Sequence, residues 1–343
     1  MQRRIAVVTG ATAGVGRATA RELAGRGFDV ALLARGRAGL DATAADVIAL
    51  GTRALAIPTD VADAAQVEAA AAQVERELGP IDVWVNNAMT TVFARFSTVD
   101  PEEFARATSV TYLGQVHGTM SALARMKARD DGRIVNVGSA LAFVGIPLQA
   151  AYCGAKFACR GFTESVRAEL IDEGSNVTIS LVHLPAVNTP QFAWCKSKMP
   201  KEPMPVPPIY QPELAARIIV DVALDGRRSR IIGVWNRALV AAAQTVPAVV
   251  ARFAARTGVQ SQQTDRPTRP DRPSDLYAPV DDERDFGARG AFDAQARGMR
   301  DPGFLKSLPE TVLVIGRSAS SAVGERAAVS ARRRRARRAN PAR

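Results

Sequence analysis

The sequence predicts an α/β fold in which helices cover both faces of one parallel, doubly wound sheet. Three observations carry that prediction. Short, continuous apolar runs alternate with amphipathic helical runs over the first two-thirds of the chain. A glycine-rich turn follows the first apolar run directly and opens the first helical run. The chain has 343 residues and is 47% hydrophobic, ample for one large domain with additions.

The elements follow in order. RIAVVT (4–9) is rich in β-branched residues and reads as a strand, and GRATARELAGRG (16–27) as a helix. DVALLAR (29–35) and TRALAIPTD (52–60) are strands on either side of a helix, LDATAADVIALG (40–51). AAQVEAAAAQVEREL (64–78) is a long helix, followed by the strand and exit loop IDVWVNNA (81–88). Residues 101–130 read as mostly helical, 132–139 as a strand, 152–172 as a helix and 176–183 as a strand. Right-handed crossovers between parallel strands then give the doubly wound sheet.

Residues 190–212 interrupt the alternation. PKEPMPVPPIYQP holds too many prolines for a helix or a central strand. A helix resumes at PELAARIIVDVAL (212–224), and RSRIIGVW (228–235) reads as a further strand. The segment 239–258 is apolar and helical, with a break near Pro247. Packing against the body or a second subunit is favoured for it over a membrane surface. Beyond 258 the chain turns polar and proline-rich, as in a covering loop or linker. The expected division is a catalytic domain over 1–235 with a lid at 190–212, an appendage over 236–310, and a basic tail over 311–343.

Charge and cysteines narrow the partners. The net charge is +11, but residues 311–343 hold nine arginines and one glutamate, or +8, which leaves +3 for the first 310. A charge placed in a tail does not predict a specific nucleic-acid-binding face. The three cysteines have no metal or dithiol spacing, and no metal site is expected. Their number, and an N-terminus unlike a signal peptide, point to a cytoplasmic protein. No run of eighteen apolar residues suggests a membrane span.

The turn TGATAGVG (9–16) places Gly10, Thr12, Gly14, Val15 and Gly16 between a strand and a helix. Glycine there lets the backbone approach a pyrophosphate, which the helix N–H groups then stabilise. The second strand ends in Ala34-Arg35, with no carboxylate to hold ribose hydroxyls; Arg35, helped by Arg17 and Arg37, suits a 2′-phosphate. NADP is therefore favoured over NAD. Asp60 and Val61 follow the third strand, where a carboxylate could accept from adenine, and Asn86, Asn87 and Ala88 follow the fourth. Ser139 ends a strand at the rim where such sheets bind ligands, and Tyr152 and Lys156 share one face of the next helix. A lysine ammonium beside a phenol stabilises the phenolate, so Tyr152 can exchange a proton with a carbonyl or alcohol while Ser139 holds its oxygen.

Taken together, TGATAGVG, NNAM (86–89), Ser139 and YCGAK (152–156) resemble the short-chain dehydrogenase/reductase family of the classical type. The resemblance covers about residues 4–235. It implies a Rossmann-type fold, NAD(P)-dependent oxidoreduction, homodimers or homotetramers, and Ser139, Tyr152 and Lys156 as the catalytic trio. It also implies that PAVNT (185–189) contributes Pro185, Val187 and Thr189 to the nicotinamide end, with Phe192, Trp194 and Ile209 in a lid over an apolar carbonyl or alcohol substrate. Three departures stand out: Met89 and Ala186 replace family glycines, and Thr111 stands where the family has a fourth catalytic asparagine. A threonine hydroxyl can bond the water that links Lys156 to solvent, or the backbone carbonyl at 111 can carry that water alone, and activity is expected in either case. A catalytically idle cofactor-binding sensor or scaffold is the alternative that Thr111 favours.

Overall fold

A computed structural model describes residues 3–297. The basic stretch 311–343 and residues 298–310 lie outside the described residues. Seven strands form one parallel sheet: β1 (Ile5–Thr9), β2 (Asp29–Ala34), β3 (Ala54–Pro58), β4 (Ile81–Asn86), β5 (Arg133–Ser139), β6 (Thr178–Leu184) and β7 (Ser229–Ile231). Their order is β7-β6-β5-β4-β1-β2-β3. The chain starts in mid-sheet, runs outward to β3 and returns to the other side of β1. A crevice opens at the carboxyl ends of β1 and β4, where that direction reverses.

Among the described residues the longer helices are α1 (Gly14–Gly25), α2 (Arg37–Ala49), α3 (Ala64–Glu77), α4 (Pro101–Thr108), α5 (Gly114–Arg129), α6 (Ala150–Asp172), α7 (Pro212–Asp225), α8 (Val234–Thr245) and α9 (Pro247–Thr257). Side chains alternate across the sheet, so Ala6 and Val8 pack with α1, α2 and α7, while Ile5 and Val7 pack with α3, α5 and α6. Both faces of β1 and β2 are buried throughout, which is why these strands carry continuous apolar runs.

The structure revises three boundaries. The helix expected over 101–130 is interrupted by a π turn at Ser109–Leu113, which contains Thr111. The strand expected over 228–235 ends at Ile231, because Gly233 at φ 88° swings the chain into α8. The apolar segment 239–258 is two helices, since Pro247 lacks the N–H to continue α8 and begins α9 instead.

The chain after α9 returns to the body. Residues 263–267 pair antiparallel with 201–203, and 296–297 pair parallel with 209–210. Between these pairings, residues 274–290 form a strap across the amino ends of α1 and α2. The Gly287 carbonyl accepts from Gly14 N at 3.3 Å, and the Asp282 carbonyl from Ala38 N at 3.1 Å.

Candidate active site

β1 runs into the glycine turn, and two contacts make its glycines necessary. Gly10 has φ 65°, and a side chain there would meet the Ala88 backbone; one on Gly16 would stand 2.0 Å from the Gly10 carbonyl. Asn87 ties the turn to β4: its Nδ2 donates to the Thr9 and Gly10 carbonyls at 3.1 and 3.2 Å. Its backbone N–H and that of Ala88 both donate to Thr9 Oγ1. Asn86 is fully buried and bonds to Asn136, Thr119 and Trp84. Its role is to join β4 and β5 to α5. The α1 N-cap residue is Ala13, which brings no side-chain cap. The Gly14 N–H is taken by the Gly287 carbonyl, and the N–H groups that follow it at the start of α1 remain as donors.

At the other end of the crevice β5 delivers Ser139 and α6 delivers Tyr152 and Lys156. Ser139 Oγ accepts from Leu141 N at 3.1 Å and lines the same cavity wall as the Tyr152 phenol. Lys156 is 1% exposed, donates to the Val137 carbonyl at 2.7 Å, and stands 5.6 Å from the Tyr152 ring centre. Burial pushes the Tyr152 phenol well above its ordinary value, with Ser139 opposing, and burial pushes the Lys156 ammonium down. Behind them, His183 Nδ1 lies 3.1 Å from the Ser139 carbonyl. Burial lowers that imidazole to about 4, so it is neutral and holds the end of β5 in place.

One cavity of about 790 Å³ joins the two ends. Gly10, Thr12, Gly14, Val15, Arg35, Asp60, Val61, Asn87 and Ala88 line one part, and Ser139, Tyr152, Lys156, Pro185, Val187 and Thr189 line the other. Gly16 stands behind this wall as a packing residue. Thr189 Oγ1 is buried without a partner, which suits a carboxamide group presented to it. The glycine turn, the uncapped α1 terminus and this hydroxyl together fit a nicotinamide dinucleotide. Phe192 and Trp194 line the cavity as expected, whereas Ile209 is buried in a short strand and does not.

Several expected contacts are already engaged within the chain. Arg35 donates to the Asp275 carbonyl and, at 3.1 Å, to the Tyr277 carbonyl. Arg17 is paired with Asp46 and Asp285, so it does not assist Arg35. Arg37 contributes its backbone N–H to Asp282 Oδ1 at 3.0 Å. Asp60 accepts from Arg106 at 2.6 Å. Thr111 lies outside the cavity: its hydroxyl donates to the Thr90 carbonyl at 2.7 Å and accepts from Thr90 N at 3.0 Å. The π turn directs that hydroxyl to the 89–91 loop rather than toward Lys156.

Sequence reading missed two groups. Gln115, one helical turn beyond Thr111, donates to the same Val137 carbonyl as Lys156, at 2.9 Å, and its buried Oε1 has no partner. The strap carboxyls Asp275 and Asp281 line the cavity. Asp281 packs against Gly36 and Gly39, at the end of β2 where the sequence has no carboxylate. Asp275 is pushed up to about 7 by burial, with Arg35 opposing. Neither group has a local sequence signal, since strap and β2 are more than two hundred residues apart.

Residues 4–199 match the short chain dehydrogenase family. The chain belongs to that family. It is 31% identical over 279 residues, 81% of this chain and 78% of the relative, to the uncharacterized oxidoreductase YxnA of Bacillus subtilis. It is 33% identical over 235 residues to 3-dehydrosphinganine reductase of Danio rerio, covering 66% of this chain and 70% of that one. An alcohol dehydrogenase from Thermococcus sibiricus, solved with 5-hydroxy-NADP, superposes with a TM-score of 0.58 at 27% identity. It covers 67% of this chain and 95% of its own. The dehydrogenase is thus an NAD(P)-dependent oxidoreductase of the Rossmann-type fold. It transfers a hydride between a nicotinamide cofactor and a carbonyl or alcohol.

Proposed function

We propose that this dehydrogenase reduces an apolar carbonyl compound, or oxidises the matching secondary alcohol, with NADP as its cofactor. The bound cofactor supplies or accepts the hydride. Ser139 holds the substrate oxygen, and Tyr152 gives it a proton during reduction. Lys156 stabilises the phenolate that remains and bonds the nicotinamide ribose. One observation carries this reading: Ser139, Tyr152 and the buried Lys156 meet on the wall of one cavity that reaches the glycine turn.

Proton resupply to Lys156 does not use the Thr111 hydroxyl in this reading, because Thr90 engages it. Thr111 acts as a positioning residue for the 89–91 loop. The unpaired Gln115 Oε1 is the buried acceptor closest along the chain to that role. The catalytic domain, its lid and the strap work as one unit, and two or four copies assemble through exposed apolar residues such as Met120 and Phe157.

The NADP preference is supported by Arg35 at the end of β2 and by the α2 terminus, which has no side-chain cap of its own and already binds a carboxylate. The ligand in the Thermococcus sibiricus structure is in accord. A second reading, NAD, is favoured by one observation: the Asp281 carboxylate stands against Gly36 and Gly39 at the end of β2, where ribose hydroxyls would meet it. An apolar substrate is supported by the cavity walls, which include Phe93, Phe192 and Trp194, and by the name of the Danio rerio relative.

Replacing Tyr152 tests the chemistry. Tyr152→Phe is expected to lower carbonyl reduction by about 10²–10⁴-fold while NADP still binds, as measured by fluorescence titration. Full activity in that variant overturns the assignment. NADP binding by the wild type with no turnover on any ketone or aldehyde favours the idle sensor instead.

A further inference from the structure

The cavity does not end at the lid. It continues from Tyr152 past Phe192 and Met204 to Val246, Val249 and Phe253 at the α8–α9 junction. Those last three side chains are 48%, 60% and 46% exposed, so the same residues line the cavity and face solvent. Helix α9 therefore has two apolar stripes. Val250 and Ala254 are its buried stripe against the body. Val249 and Phe253, four residues apart, form a second stripe that stays about half open to solvent.

The charge around this lip has one sign. From Gly226 to Thr264 the chain carries six arginines (227, 228, 230, 237, 252 and 256) and no aspartate or glutamate. All six are exposed. Arg227 pairs with Asp225. Among the described residues, Arg237, Arg252 and Arg256 form no ion pair. Arg252 and Arg256 lie four residues apart beside the Val249–Phe253 stripe, so long cationic side chains flank an apolar edge. A second copy of this chain would set these like charges against its own.

We propose that α8 and α9 dock on an anionic phospholipid bilayer, and that the substrate is a long-chain apolar carbonyl compound drawn from it into the cavity. The apolar stripe enters the headgroup boundary while the arginines meet phosphate groups. An aliphatic chain then passes from lipid to the Tyr152 end without crossing water. The substrate half of this inference rests on the proposed carbonyl chemistry; the docking half does not.

The test uses the full chain and vesicles of phosphatidylcholine with and without phosphatidylglycerol. Cosedimentation is expected only with the phosphatidylglycerol vesicles and is expected to fade with added salt. Arg252→Gln with Arg256→Gln should weaken vesicle binding by roughly thirtyfold. This pair should leave turnover of a short, water-soluble ketone unchanged and slow turnover of a long-chain ketone held in vesicles. Val249→Asp with Phe253→Ser should likewise abolish vesicle binding. Equal binding to both vesicle types, or none, overturns the docking proposal. So does a dimer that Val249→Asp with Phe253→Ser converts to monomer while vesicles never bind, since the lip is then a self-interface. Absence of turnover on the short ketone counts against the carbonyl chemistry alone, because vesicle binding is read independently of it.

Discussion

Burial moves Tyr152 and Lys156 in opposite directions, up for the phenol and down for the ammonium. The upward shift keeps the Tyr152 phenol protonated in the apolar wall, so it is a proton donor before any cofactor charge arrives. Reduction is therefore expected to hold its rate through neutral pH and to fall only in alkali. Alcohol oxidation, which needs the phenolate, should rise with pH; initial rates in both directions across pH check this. His183 gives a stability prediction. Its folded value of about 4 lies below the ordinary histidine value of 6.5, so the unfolded chain binds the proton first. The stability it contributes is full above about pH 6.5 and is lost as pH falls toward about 4, a difference of about 3 kcal/mol. Urea unfolding at neutral pH and near pH 4 should show the wild type losing about that much more than His183→Gln.

The strap and the amino ends of α1 and α2 form one unit. Neither helix has a side-chain cap, and the strap supplies what each lacks: Gly287 O for Gly14 N–H, and Asp282 for the Arg37 and Ala38 N–H groups. The carboxylates of Asp281 and Asp282 then occupy an anion site that a 2′-phosphate would share. Asp281→Asn with Asp282→Asn is expected to tighten NADP by about tenfold, the effect of removing a like charge worth about 1.4 kcal/mol. NAD should change little, as measured by titration calorimetry. A loss of NAD affinity on Asp281→Asn would identify that carboxylate as a ribose partner and support the NAD reading. Much of the glycine turn and the α6 pair was legible in the sequence, because strand-to-helix spacing and helical periodicity are local. The strap carboxylates were not, because their positions depend on a chain reversal after α9.

At the scale of the whole molecule, the cofactor crevice is closed by segments from both ends of the described chain. Ligand binding to the folded state should therefore stabilise the body and the strap together. NADP at about a hundred times its Kd should add about 2.7 kcal/mol, raising the thermal midpoint by several degrees in differential scanning fluorimetry. Limited proteolysis should show the strap region protected in the same experiment. No helix among the described residues is long and apolar enough to cross a membrane. The lipid contact argued for α8 and α9 is one of surface, and it belongs to helices whose boundaries Pro247 already marks.

The sequence by itself determined the doubly wound sheet, the glycine turn and the Ser139–Tyr152–Lys156 set. Alternating periodicity, turn chemistry and i, i+4 spacing act over a few residues, so they can be read without a fold. Tertiary structure alone decided where Arg35, Asp60 and Thr111 direct their polar groups. Each meets a partner distant in the chain: the Asp275 and Tyr277 carbonyls, Arg106, and the Thr90 backbone. It also decided that the apolar residues of 239–258 divide between a buried stripe and a lip of the cavity, because one helical period cannot say which of two faces the body will cover.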